Sequence, residues 1–106
     1  MESIEIPKHL QKEGGNFWES VLSDFNIIDG HHLKLLENAC VCLDRMAQAR
    51  RHIRKHGGFY KDRFGTPKEN PAHKTERDNK ILFARLLREL NLDISPPKES
   101  RTPNLY

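Results

Sequence analysis

A chain of 106 residues has room for one domain and one core. Hydrophobic residues make up 36% of it and charged residues 31%, so the core is thin for this length and self-association would bury further apolar area. No apolar run approaches the length needed to span a bilayer and no signal peptide is evident, while Cys40 and Cys42 stand too close on one helix to bridge each other, so the composition excludes a membrane-spanning or disulfide-stapled protein and points to a reduced, cytoplasmic one.

Residues 1–9 lack any periodic pattern and contain Pro7, which predicts an N-terminal arm. Leu10 to Glu13 forms at most a turn of helix before Gly14-Gly15 interrupts it. Asn16 then caps a first helix whose apolar positions Trp18, Val21, Leu22 and Phe25 repeat at i, i+3, i+4 and i+7. Asn26 to Gly30 is a turn, and Asp29 caps the longest helix, with Ile28 and Leu33 placed for a hydrophobic staple. That helix runs to about His56 and stops at Gly57-Gly58. It carries two apolar stripes: Leu33, Leu36, Cys40, Leu43, Ala47, and Leu35, Cys42, Met46, Ala49, Ile53. Two stripes are more than a three-helix monomer readily covers, which predicts a subunit interface at Leu35, Leu36, Cys42, Met46 and Ile53.

Phe59 to Lys68 places aromatics around Asp62-Arg63-Phe64-Gly65, a type I turn pattern, and predicts a short β-hairpin with Pro67 on an edge. A hairpin of this length is marginal alone and should lean on a helix or another subunit. Asn70-Pro71 opens a last helix, Pro71 to about Asn91, with Asn79, Phe83, Leu86 and Leu90 along one line. Lys74 with Asp78, Glu76 with Lys80 and Arg85 with Glu89 stand four apart on its other face. From Ser95 onward Pro96-Pro97, Pro103 and polar residues predict an extended tail. The fold class is therefore mainly α: a three-helix subunit over residues 10–94 with a β-hairpin between the second and third helices, assembling into a ring-like oligomer.

No constellation in the chain carries catalysis. His52 and His56 share a helix face but no third ligand follows at a matching spacing, and Cys40 and Cys42 have no second pair, so no metal is expected. His31-His32, Asn70 and His73 would have to sit in a ββα-metal arrangement to act as a nuclease, whereas His31-His32 opens a helix. Gly14-Gly15 and Gly57-Gly58 lack the Lys and Ser/Thr of a phosphate-binding loop, so no nucleotide cofactor is expected either.

Charge is the most informative pattern. Residues 1–28 hold two lysines against five carboxylates, a net of −3; residues 29–58 and 59–91 each carry +3. The cations gather at Arg50, Arg51, Arg54 and Lys55 near the end of the long helix and continue in Lys61, Arg63 and Lys68 of the hairpin. Cations at a helix C-terminus are favoured by its dipole whatever the function. Their continuation into the hairpin makes this stretch a candidate surface for DNA phosphates.

The order of these residues resembles the phage terminase small-subunit family from about Leu10 to Ile94. The resemblance is carried by Trp18, Leu33-Lys34-Leu35-Leu36, Ala39 to Ala49 with Leu43-Asp44-Arg45, and Gly57. The Asp62-Arg63-Phe64-Gly65 turn, Asn70-Pro71-Ala72, Arg77-Asp78 and Leu86 to Leu92 complete it. The sequence departs from the family pattern at Gly14-Gly15, where a continuous first helix is expected. The resemblance implies a non-enzymatic, ring-forming protein of the infected bacterial cytoplasm. Such a protein recognises viral double-stranded DNA and delivers it to the large terminase subunit, which holds the ATPase and nuclease. Two other classes stay open: a helical DNA-binding transcriptional regulator, and an oligomeric phage adaptor that ignores DNA. A regulator should show a short recognition helix after a tight turn, which the 27-residue second helix and the hairpin after it disfavour.

Overall fold

The computed structural model describes residues 4–27 and 29–91. Three helices, α1 (Lys12–Asp24), α2 (Gly30–His56) and α3 (Ala72–Leu90), enclose one core, and a two-stranded hairpin, β1 (Phe59–Lys61) and β2 (Pro67–Glu69), projects between α2 and α3. The staple at Ile28 and the tail from Ser95 lie outside the described residues.

The first helix corrects the expectation of a break at Gly14-Gly15. It runs straight through both glycines, and Asn16 is an interior residue rather than a cap. Two N–H groups at its start are satisfied from another helix. Asp44 of α2 accepts from Gln11 N through Oδ2 and from Gly14 N through Oδ1, both at 2.7 Å. This contact needs the backbones close together. A Cβ at residue 14 would sit 2.5 Å from Asp44 Oδ2 and 2.6 Å from the Cys40 carbonyl oxygen. The glycine lowers helix propensity by about 1 kcal/mol, but it admits a charged cap that alanine would exclude.

Asp29 caps α2 as its position predicts, accepting from His32 N at 2.8 Å. At the other end Gly57 takes φ 89°, a conformation that favours glycine, and its N–H donates to Ile53 O. Between these ends the helix buries two faces. Leu36 and Cys40 join Trp18, Val21, Ile27 and Leu90, while Ala39 and Cys42 join Leu86 with Leu35, Phe17 and Phe83 around them. Phe17 and Phe83 meet edge-on with centroids 5.5 Å apart, so α1 and α3 touch as well as sharing α2. Trp18 Nε1 is buried without a hydrogen-bond partner among the described residues.

The hairpin pairs Phe59 with Glu69, Tyr60 with Lys68 and Lys61 with Pro67. The Asp62–Gly65 turn closes through Gly65 N to Asp62 O at 2.9 Å, and Asp62 Oδ1 also accepts from Phe64 N and Thr66 N. Lys61 and Pro67 face each other between hydrogen-bonded positions, since Asp62 N donates to Thr66 O and Asn70 N to Gly58 O. The proline nitrogen therefore points away from β1 and costs no ladder bond. The expected support is confined to the base, where Asn70 is 4% exposed. Its backbone N–H donates to Gly58 O at 2.8 Å, its Nδ2 to Gly57 O at 2.9 Å, and its Oδ1 accepts from Ala72 N at 2.9 Å. One residue, through its side chain and its backbone N–H, thus ties the end of α2, the hairpin and the start of α3 together. At its far end α3 stops on Asn91, in the left-handed conformation at φ 50°.

Candidate nucleic-acid interface

The cations singled out in the sequence lie on two elements, α2 and the hairpin, held together through Asn70. On α2, Arg51, Arg54 and Lys55 are exposed, and none of them has a carboxylate within ion-pair distance among the described residues. Arg50 is different. Its Nε lies 2.5 Å from Glu76 Oε2 of α3, and this hydrogen bond holds the Glu76 carboxyl below its ordinary range. The expected Glu76–Lys80 partnership is therefore replaced by a link between helices. Arg50 serves that link first and offers a partly compensated charge.

On the hairpin, Lys61, Arg63 and Lys68 are all exposed. Alternation sends Tyr60 and Lys68 to one face of the ribbon and Phe59, Lys61 and Glu69 to the other. The Asp62 carboxylate is turned into the loop by its two backbone hydrogen bonds. Phe59 is 67% exposed, Tyr60 51% and Phe64 79%, and the Arg63 guanidinium stands 5.2 Å from the centroid of the Phe64 ring. The sequence pattern marks Phe59 and Tyr60 as strand formers and Phe64 as a turn residue, and does not mark the three rings as surface groups. The signal for that is length, since strands of three residues and a four-residue turn leave nothing to cover the rings.

Cations interleaved with exposed rings on a narrow ribbon can do two things to a nucleic acid. The cations neutralise phosphates, and the rings pack on sugars or stack on bases. A two-stranded ribbon also has a width that the DNA major groove admits.

Of the five residues expected at a subunit interface, three are buried within the chain. Leu36 is 0% exposed, Cys42 2% and Met46 4%, while Leu35 and Ile53 are half-buried. Leu36 and Cys40 of the first stripe pack against α1 and Leu90 of α3, and Cys42 of the second packs against Leu86, so these positions are covered within the chain.

The cysteines and histidines have quiet roles. Burial, reinforced by Asp44 and Glu37, pushes the Cys40 thiol up to about 12, and burial also raises Cys42. Neither supplies a thiolate near neutral pH. The His52 and His56 rings lie with centroids 4.4 Å apart and planes tilted by 40°, and no group of three or more metal-ligating side chains gathers among the described residues. No helix among the described residues is long and apolar enough to cross a membrane.

Compared with known proteins, residues 17–104 match the model of a family described as phage terminase, small subunit. No curated protein and no solved structure matches the chain.

Proposed function

Because the chain belongs to the phage terminase small-subunit family, we propose that it is the non-catalytic DNA-recognition component of a viral genome-packaging motor. It acts in the cytoplasm of the infected bacterial host. It binds viral double-stranded DNA as a homo-oligomeric ring and regulates the large subunit that carries the ATPase and nuclease. Within the chain, Arg51, Arg54 and Lys55 at the end of α2, with Lys61, Arg63 and Lys68 on the hairpin, contact phosphates, and Arg50 holds the helix end in place through Glu76.

The observation that carries this reading is the hairpin itself: three exposed rings and three exposed cations on a short ribbon whose base is rigidly tied. Burying that surface against DNA removes apolar area from water and matches its charge. A single subunit offers few contacts, and repetition around an oligomer multiplies them.

Phosphate contacts release counterions, so the logarithm of the binding constant should fall linearly with the logarithm of salt. The variant Arg54→Ala with Lys55→Ala removes two contacts per engaged subunit. Its slope should flatten by about 1.8 for each engaged subunit, at about 0.9 per contact on duplex DNA. Affinity should drop similarly for unrelated sequences. Unchanged affinity and slope in a variant that folds and assembles normally would remove these residues from the interface and leave them as helix-terminal cations.

A further inference from the structure

The outer face of α3 has a character that neither the core nor the DNA surface uses. Ile81 is 56% exposed and Leu82 43%, and Ile81 points directly away from the buried line of the helix. Exposed α3 residues include five cations, Lys74, Arg77, Lys80, Arg85 and Arg88, against two carboxylates, Asp78 and Glu89. Of these cations, only Lys74 has an ion-pair partner among the described residues, Asp78 at 2.7 Å.

The outer face of α1 is its complement. Glu13, Glu19 and Asp24 are exposed there against Lys12 alone. The segment ahead of α1 adds exposed Glu5 between two isoleucines, Ile4 at 39% and Ile6 at 36% exposure. Ile6 is laid on α1 over Gly15, where an added Cβ would meet its Cδ1 at 3.3 Å.

Both faces turn outward from the one core, so they cannot neutralise each other within a chain. Between copies they can. A two-fold pairing of α3 with itself would set arginine against arginine. A DNA contact would suit the arginines but leave Ile81 and Leu82 unused, because such interfaces are polar. Only a head-to-tail contact matches charge with opposite charge and isoleucine with isoleucine.

We propose that the basic outer face of α3, centred on Ile81, docks onto the acidic outer face of α1 and the Ile4–Ile6 segment of the next copy. This specifies the assembly in the functional reading above and does not depend on the DNA contacts. The contact is heterologous, so it closes into a ring when the rotation between copies allows. It also accounts for the opposite charge of the two parts of the chain.

The test is sedimentation velocity on the full chain in moderate salt. The wild type should sediment well above its 12.4 kDa monomer. Arg77→Glu with Arg85→Glu, and separately Glu19→Lys with Asp24→Lys, should each sediment as monomers with unchanged far-UV circular dichroism. An equimolar mixture of the two should assemble again, since each retains one native face and the reversed faces suit each other. A mixture that stays monomeric, or either variant assembling like the wild type, overturns the interface. A variant that assembles normally but loses duplex DNA places the arginines on DNA and overturns it too. A monomeric wild type would remove the oligomer altogether, whereas normal assembly of the reversed variants removes this interface alone.

Discussion

Replacing Gly14 by alanine puts a methyl group where two groups of α2 already stand. The new Cβ would lie 2.5 Å from Asp44 Oδ2 and 2.6 Å from the Cys40 carbonyl. The carboxylate can swing away, but the carbonyl belongs to the backbone of a helix and cannot. Relief therefore needs α1 to lift off α2, at about 1–3 kcal/mol for overpacking. The same movement weakens the hydrogen bonds from Gln11 N and Gly14 N to Asp44, and bonds to a charged group are worth about 1.5–3 kcal/mol each. Against this, alanine gains about 1 kcal/mol of helix propensity. The expected balance is a loss of about 2–4 kcal/mol, with Trp18 and Val21 loosened because they sit on the displaced helix. Urea unfolding followed by tryptophan fluorescence measures it, at one fixed protein concentration because assembly adds to apparent stability. Two controls calibrate the result. Gly30→Ala meets nothing within 4 Å and should not destabilise, and Gly15→Ala meets only the tip of Ile6 at 3.3 Å and should stay near neutral. A Gly14→Ala protein as stable as the wild type would refute the close-approach argument.

Asn70→Ala should cost about 1–3 kcal/mol, because it removes two part-buried hydrogen bonds worth about 0.5–1.5 kcal/mol each, one to the Gly57 carbonyl and one from the Ala72 N–H, and hydrogen exchange should speed up first across the hairpin base. Asp29 should give α2 an acid-sensitive start: the His32 backbone N–H, followed by its imidazole, holds the carboxyl below its ordinary value of 3.8. A depressed carboxyl stabilises the fold above its unfolded value and stops doing so as pH falls through the folded one. The stability gap between wild type and Asp29→Ala should therefore be open at neutral pH and narrow below 3.8, and a gap independent of pH would contradict the capping role. Cys40 and Cys42 should resist a thiol reagent at mildly alkaline pH in the folded protein and react at once in denaturant; fast labelling of the native chain would show that burial does not protect them.

The elements that could be read in advance are those whose cause is local. Asp29 caps α2, Asp62 and Gly65 close the turn, and Asn70-Pro71 opens α3, each through atoms within four residues. The period of Trp18 and Val21 identifies an inward face because the helix repeat does so without knowledge of the partner. Where the cause is distant the reading fails. Gly14-Gly15 looks like a helix breaker until Asp44 arrives from thirty residues away. The stripe through Cys42 and Met46 shows that α2 is apolar there, but not that α3 covers it. Glu76 has Lys80 at helical spacing and takes Arg50 instead, a choice made by the packing of α2 on α3. The basic stretch was visible as composition, whereas the exposure of Phe59, Tyr60 and Phe64 beside it depends on what does not pack against the hairpin.

The claim that DNA lies on the end of α2 and the hairpin is tested most directly by lysine reactivity. The intact protein is acetylated briefly with and without saturating duplex DNA, and the modified sites are read by mass spectrometry. Lys55, Lys61 and Lys68 are all exposed in the free chain and should lose reactivity when DNA is bound, while Lys8 and Lys12 on the acidic side should keep theirs. Saturated binding that leaves Lys55, Lys61 and Lys68 as reactive as before would contradict the assignment.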